Sequence, residues 1–233
     1  MSETPIPPAA LKALAEIDSA TISNAIELFK VRDPVTGYAS LELRCQYPDL
    51  KPMVGYAVTC TEDNTTAGDQ RPMRMEQLID VMEAAPKPAI LVIKQLGTDR
   101  LRSCFTGDMF CTTLQKLGFV GVVTDGGNRD SSGIRSNAPG FQIFSPGWVV
   151  SHGYGVFIDF NVTVSVYGLT IQPNDLLHGD ESGLLTIPHE IAEDVVAKAR
   201  GVKEDEAAFF EFLKSDSFTV DGLKAQLRGH SKH

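Results

Sequence analysis

The stretch GVVTDGGNRD, residues 121–130, carries an apolar run straight into Asp125-Gly126-Gly127 and the adjacent pair Arg129-Asp130. Ligands of open α/β sheets gather at the carboxyl ends of parallel strands, so an Arg and an Asp at such an end are placed to meet one. A carboxylate there suits a hard divalent cation, and a guanidinium can grip a planar carboxylate in two places. The glycines let the backbone turn tightly and let a ligand come close. A second piece, Phe105-Thr106-Gly107-Asp108, stands at the start of the amphipathic run DMFCTTLQKLG, residues 108–118. The first N–H groups of a helix have no partners within it, and together with the helix dipole they favour an anion such as a substrate carboxylate. Asp108 reads either as an N-cap, a position Asp favours, or as a base or the holder of a catalytic water. Taken alone, 121–130 is also compatible with a Gly-rich turn closed by a surface Arg–Asp ion pair. Because the two pieces follow successive strands, they are expected to meet at one pocket.

The elements that would position them are legible in outline. Residues 8–30 read as two helical pieces, with Leu11, Leu14 and Ile17 on one face and Ile22, Ala25, Ile26 and Phe29 on the next. Residues 31–52 read as irregular, 53–60 as a strand, 61–72 as a polar loop and 75–85 as an amphipathic helix. The run 89–96 reads as a buried strand, 108–118 as a helix ending at a glycine, and 119–124 as another buried strand. Strand, helix and strand in this order make a βαβ unit with parallel strands. From 141 to 187 the chain turns rich in Val, Ile, Phe and Tyr and reads as strands and turns. Residues 189–216 read as a long amphipathic helix with a possible break at Gly201, and 228–233 as a frayed polar tail. The expectation is a single layered α/β domain over 1–233 with a β-rich second half.

Composition narrows the function. The 233 residues are 42% hydrophobic and 22% charged, an ordinary globular balance. The formal net charge of −9 and the lack of a Lys/Arg run argue against a nucleic-acid binder. No segment approaches the ~20 apolar residues of a membrane span, and the N-terminus lacks the basic start and apolar stretch of a signal peptide. Cys45, Cys60, Cys104 and Cys111 show no C-x-x-C or zinc-finger spacing, which together with the N-terminus favours a reduced cytoplasm. Cys104 and Cys111 read as buried small hydrophobes. Phosphate-loop, dinucleotide and nucleophile-elbow motifs are absent, and His189-Glu190 fails as a zinc-protease motif because position 193 is Glu. His152 and His178 read as isolated structural histidines, while His230 and His233 fall in the tail. Lys94, inside a strand run, reads as a structural lysine and not a Schiff-base former.

The segments MVGYAVT (53–59), Gly107-Asp108, G-x-x-x-D-G-G-x-R-D (121–130) and QPNDLLHGDESGLLTIP (172–188) resemble the RraA-like family, over roughly residues 15–200. That family holds 4-hydroxy-4-methyl-2-oxoglutarate aldolases and the regulator of ribonuclease E activity A. The resemblance implies an RraA-like fold with a barrel-like second half and a homotrimer or homohexamer with its site at a subunit boundary. It implies a metal-dependent carbon–carbon lyase, an aldolase or oxaloacetate decarboxylase type, that releases pyruvate from a 2-oxo acid with Mg²⁺ or Mn²⁺. By the same resemblance Asp130 matches the metal-binding aspartate and Arg129 the substrate-binding arginine. Gly107, Asp108, Met109 and Phe110 match the turn that contacts substrate; the mechanism expected from the residues then makes Asp108, as base, and Arg129 the catalytic pair. The family's aldolases carry an acid three residues after Arg-Asp, where this chain has Gly133. An acid from a neighbouring subunit is a further family feature, for which Glu204, Asp205, Glu206 and Glu211 are candidates. The rival readings are a lyase on another metal-chelating hydroxy acid and a non-catalytic regulator of an RNA-processing enzyme.

Overall fold

The structure is a computed structural model and describes residues 6–67 and 71–230. In chain order its helices are α1 (Pro8–Leu14), α2 (Ser19–Glu27), α3 (Met75–Ala84), α4 (Asp108–Lys116), α5 (Ser131–Asn137), α6 (Ala192–Lys214) and α7 (Val220–His230). Its strands are β1 (Arg44–Cys45), β2 (Met53–Asp63), β3 (Ala89–Gln95), β4 (Phe119–Thr124), β5 (Gln142–Ser145), β6 (Val156–Phe160), β7 (Val164–Val166), β8 (Leu169–Ile171), β9 (Leu176–Asp180) and β10 (Gly183–Ile187).

The sheet runs β1-β5-β4-β3-β2-β9-β10, with β6 also on β2 and a separate β7–β8 hairpin. Strands β2, β3, β4 and β5 are mutually parallel, so the expected βαβ unit forms across β3, α4 and β4. The long β2 meets β9 along Met53–Tyr56 and β6 along Cys60–Asp63. On β3, Leu91 and Ile93 pack under α3 and α4, while Ile90 and Val92 face Val164, Val166 and Ile171. Burial on both faces is why this strand is a continuous apolar run. Helices α1, α2 and α6 form a third packing group against Val54, Tyr56 and Leu176.

Several expectations are corrected. Thr61, Glu62 and Asp63 belong to β2, although polar residues suggested a loop; Glu62 is answered in the interior by Asn64 and Gln95, Thr61 by the Asp159 N–H, and Asp63 by the Thr65 N–H and Arg71. The remainder of the expected loop includes residues 68–70, which lie outside the described residues. Arg44–Cys45 is a short strand inside the stretch read as irregular. Helix α6 passes through Gly201 unbroken, since a single glycine costs only about 1 kcal/mol against alanine in a helix. The expected tail 228–233 overlaps α7 as far as His230, and residues 231–233, with His233, lie outside the described residues. Among the described residues no helix is long and apolar enough to cross a membrane.

Candidate active site

The two loops that hold the candidate residues follow β3 and β4 and are bound to each other. The Gly127 N–H donates to Ser103 O at 2.7 Å, and the Arg129 N–H to Thr106 O at 3.1 Å. The Thr106 hydroxyl hydrogen-bonds Asn128 Oδ1 in the interior. A third loop, after β5, joins them: Asn128 N–H donates to Gly147 O and Val149 N–H to Asn128 O. Any side chain at Gly107 would push the Arg129 and Asp130 side chains from these positions. A Cβ on Gly107 would stand 2.7 Å from Asp130 Oδ2 and 3.2 Å from Arg129 Nε.

Gly107, Asp108, Met109, Phe110, Arg129 and Asp130 all line one cavity of about 360 Å³. The six residues nominated from the sequence therefore converge. Asp108 opens α4 with its Oδ1 accepting from Met109 N–H at 2.7 Å and its Oδ2 from Asn137 Nδ2 at 3.2 Å. Arg129 Nε lies 3.1 Å from Asp130 Oδ2, and each side chain keeps more than a third of its surface exposed. Asp130 occupies the N-cap position of α5 at φ +61° but makes no capping hydrogen bond. Left-handed backbone at a non-glycine residue is strained, although Asp tolerates it better than most. The conformation leaves the carboxylate at the cavity and not over the helix end.

Among the described residues no three His, Cys, Asp or Glu side chains are grouped to hold a metal ion. The donor set at the cavity, the part-exposed carboxylate of Asp130 beside Arg129 with Asp108 on the same wall, suits a Mg²⁺-type cation that keeps waters and takes other ligands from substrate. A closed protein cage is not what these residues would build.

Sequence reasoning missed the other walls. Met75, Ile79 and Met82 of α3, Phe105, Thr113 and His152 also line the cavity. His152, read as an isolated structural histidine, is an exposed side chain at this cavity, its Nδ1 bonded to Gly153 O at 2.8 Å. Nothing in an amphipathic helix such as α3 marks which of its residues will border a site. Glu204, Asp205, Glu206 and Glu211 lie on α6 and do not line the cavity.

Other groups are structural, as expected. Lys94 Nζ pairs with Asp125 Oδ2 at 2.6 Å, while Asp125 Oδ1 accepts from Gln95 N–H. His178 is buried, sharing a hydrogen bond with Ser19 Oγ at 2.9 Å and contacting the Leu14 and Ile17 carbonyls. Cys104 and Cys111 are fully buried, and burial pushes the Cys104 thiol up to about 12, far from a nucleophile's range.

Behind the loops lies a buried polar chain. Glu62 Oε1 accepts from Asn64 Nδ2 at 2.9 Å and from Gln95 Nε2, and Ser103 Oγ donates to Gln95 Oε1. Burial, opposed by the Gln95 hydrogen bond and reinforced by Asp125 and Asp63, raises the Glu62 carboxyl from 4.5 to about 8. Between those two values the folded chain holds a proton that the unfolded chain has released, so stability falls as pH rises through that window. We expect the melting temperature to decline from pH 5 to pH 8, and Glu62→Gln to flatten that decline in a calorimetric series. A slope unchanged by the substitution would contradict the assignment.

A family model described as RraA-like, Aldolase/RraA, matches residues 19–186. A Halalkalibacterium halodurans protein, provisionally named a 4-hydroxy-4-methyl-2-oxoglutarate aldolase, is 29% identical over 201 residues, which span 83% of this chain and 88% of that protein. A Pseudomonas paraeruginosa protein of the same provisional name is 26% identical over 134 residues, 58% of this chain and 74% of that one. In fold, the chain is similar to Streptomyces coelicolor RraAS2, an unusual member of the RNase ES inhibitor RraA protein family. That likeness has a TM-score of 0.66 at 21% identity and covers 88% of this chain and 96% of that chain.

Proposed function

The chain belongs to the RraA-like family, and from that premise we propose that it is a divalent-metal-dependent carbon–carbon lyase that releases pyruvate from a 2-oxo acid. The observation that carries the reading is the convergence of Asp108, Arg129 and Asp130 on one cavity. A pure docking protein has no need of that cluster.

Asp130 is the residue to hold the cation, Mg²⁺ or Mn²⁺. When bound, the cation supplies Lewis-acid polarisation of the 2-oxo group. Arg129 binds the substrate carboxylate and sets positive charge beside the oxygen that becomes anionic. The N-terminus of α4, with its glycine N-cap, adds backbone N–H groups and the positive end of the helix dipole. Asp108, directly or through one water, takes the proton of the 4-hydroxyl. The C3–C4 bond then breaks, its electron pair passes to C3, and a carbonyl forms at C4. Return of the proton to C3 completes pyruvate. Phe105 and Phe110, edge to face at 4.9 Å, shield this step from bulk water.

Gly133 fits the same scheme. A Cβ there would stand 2.7 Å from Asp108 Oδ2, so the missing acid makes room for the carboxylate of Asp108. Gly133→Ala should favour α5 by up to about 1 kcal/mol yet displace the base. We expect kcat to fall about tenfold, within the range a misplaced group costs, with KM little changed. Steady-state kinetics beside a melting curve check this; unaltered kcat would remove Asp108 from the role.

The assembly proposed is a homotrimer or homohexamer acting in the cytoplasm. The exposed Phe210, Leu213 and Phe218 around the end of α6 are compatible with burial against another copy. The decisive test of function is a coupled pyruvate assay on oxaloacetate and on 4-hydroxy-2-oxo acids, with and without EDTA. Pyruvate release that EDTA abolishes and Mg²⁺ or Mn²⁺ restores supports the lyase. No release from any of them leaves the regulator reading standing.

A further inference from the structure

The walls of the cavity are mostly hydrocarbon. Met75, Ile79 and Met82 come from α3, and Phe105, Met109 and Phe110 from the loop and first turn of α4. Phe105 is pinned between Phe110 at 4.9 Å and Phe157 at 4.7 Å, so this part of the wall is well supported. Met109 is 84% and Ile79 37% exposed, although both are large apolar side chains beside charged ones.

The charges are few and unevenly matched. Among the described residues the titratable groups lining the cavity are Asp108, Arg129, Asp130 and His152. Two carboxylates thus face one guanidinium and the His152 imidazole; the guanidinium already lies 3.1 Å from Asp130, and on the lyase reading Asp130 is taken up by the cation. The carboxylate of one 2-oxo acid group uses Arg129. A second carboxylate further along the substrate would meet Asp108 or be laid against the apolar α3 side chains Met75, Ile79 and Met82. Either encounter is unfavourable, through like-charge repulsion or through desolvation without a partner.

We propose that this chain's substrate is a 2-oxo acid whose far end, beyond C4, is an alkyl or aryl group and not a second carboxylate. The proposal rests on the lyase reading for its 2-oxo acid end and adds the class of the remainder. Each methylene laid on the α3 wall contributes a factor of about four in affinity, from the burial of one CH₂. A retro-aldol on such a substrate gives pyruvate and an apolar aldehyde or ketone, with no co-reactant beyond the proton already accounted for.

Two isosteric probes separate the possibilities. In 5-methyl-2-oxohexanoate two methyl groups replace the two oxygens of the second carboxylate of 2-oxoglutarate. Isothermal titration of the full chain in the presence of Mg²⁺ should show the methyl compound binding at least about tenfold more tightly, the equivalent of roughly two methylenes on the wall. Ile79→Lys, a change at a partly exposed position, should narrow or reverse that preference by offering the second carboxylate a cation. Equal or tighter binding of 2-oxoglutarate to the unaltered chain, or binding of neither, overturns the proposal, and so does a preference that Ile79→Lys leaves untouched. Failure of the underlying reading shows differently. If the methyl compound binds preferentially but 4-hydroxy-2-oxohexanoate yields no pyruvate and propanal, the apolar site stands and the lyase does not.

Discussion

Asp130→Asn is expected to lower metal-dependent pyruvate release by about three orders of magnitude, the several kcal/mol that a Lewis-acid cation contributes to the transition state. Asparagine is the informative replacement because Asp130 sits at φ +61°. Asn accepts that left-handed backbone about as well as Asp, whereas Ala would add strain and confuse a folding defect with a chemical one. The carboxylate makes no capping bond to α5, so its loss should leave the helix intact. A melting temperature close to that of the unaltered chain, with activity that added Mg²⁺ does not restore, is the expected pair of results. Retention of more than a tenth of the activity would separate Asp130 from the metal.

Arg129→Lys comes second in size. The Arg129 N–H to Thr106 O bond belongs to the backbone and survives the change. What is lost is the planar fork, together with the Nε contact to Asp130 Oδ2 at 3.1 Å. Lysine offers a point charge on a flexible stem and cannot reproduce a two-point grip on a carboxylate. We expect kcat/KM to fall roughly a hundredfold, about 2.7 kcal/mol. A higher KM would report the lost carboxylate grip, and a lower kcat the lost charge beside the developing anion. Saturation kinetics on a single 4-hydroxy-2-oxo acid separates the two. A variant as active as the parent would show that Arg129 serves only the surface ion pair.

The part of the fold that carries the candidate site is the part most legible in the sequence. A strand buried on both faces has to be apolar throughout, so β3 and β4 stand out, and the residues that end them are placed by the same reasoning. Polar strand residues were hidden for the converse reason. Thr61-Glu62-Asp63 extends β2 because Gln95, Asn64 and Arg71 answer its side chains from far along the chain or across a turn. No local pattern reports such partners. Helix α5, sequence SSGIRSN, buries only Ile134 and has almost no periodicity to read. Helix α7 did leave a signal: Thr219 accepts from the Gly222 N–H just before an amphipathic run. At the candidate site, the charged residues that converge on the cavity stand out in the sequence because their types are scarce and their spacing is specific. The α3 wall does not, because Met75, Ile79 and Met82 look like any other core-facing stripe. The closeness of Gly133 to the Asp108 carboxylate likewise leaves no mark in the sequence.

The central claim is that the loops after β3 and β4 together hold a divalent cation and a 2-oxo acid. Titration of Mn²⁺ followed by electron paramagnetic resonance, with and without pyruvate, tests it on the intact chain and on Asp130→Asn. The account predicts Mn²⁺ binding by the intact chain that pyruvate tightens, and the loss of both the binding and the tightening in the variant. Indistinguishable Mn²⁺ and pyruvate binding by the two proteins would contradict it.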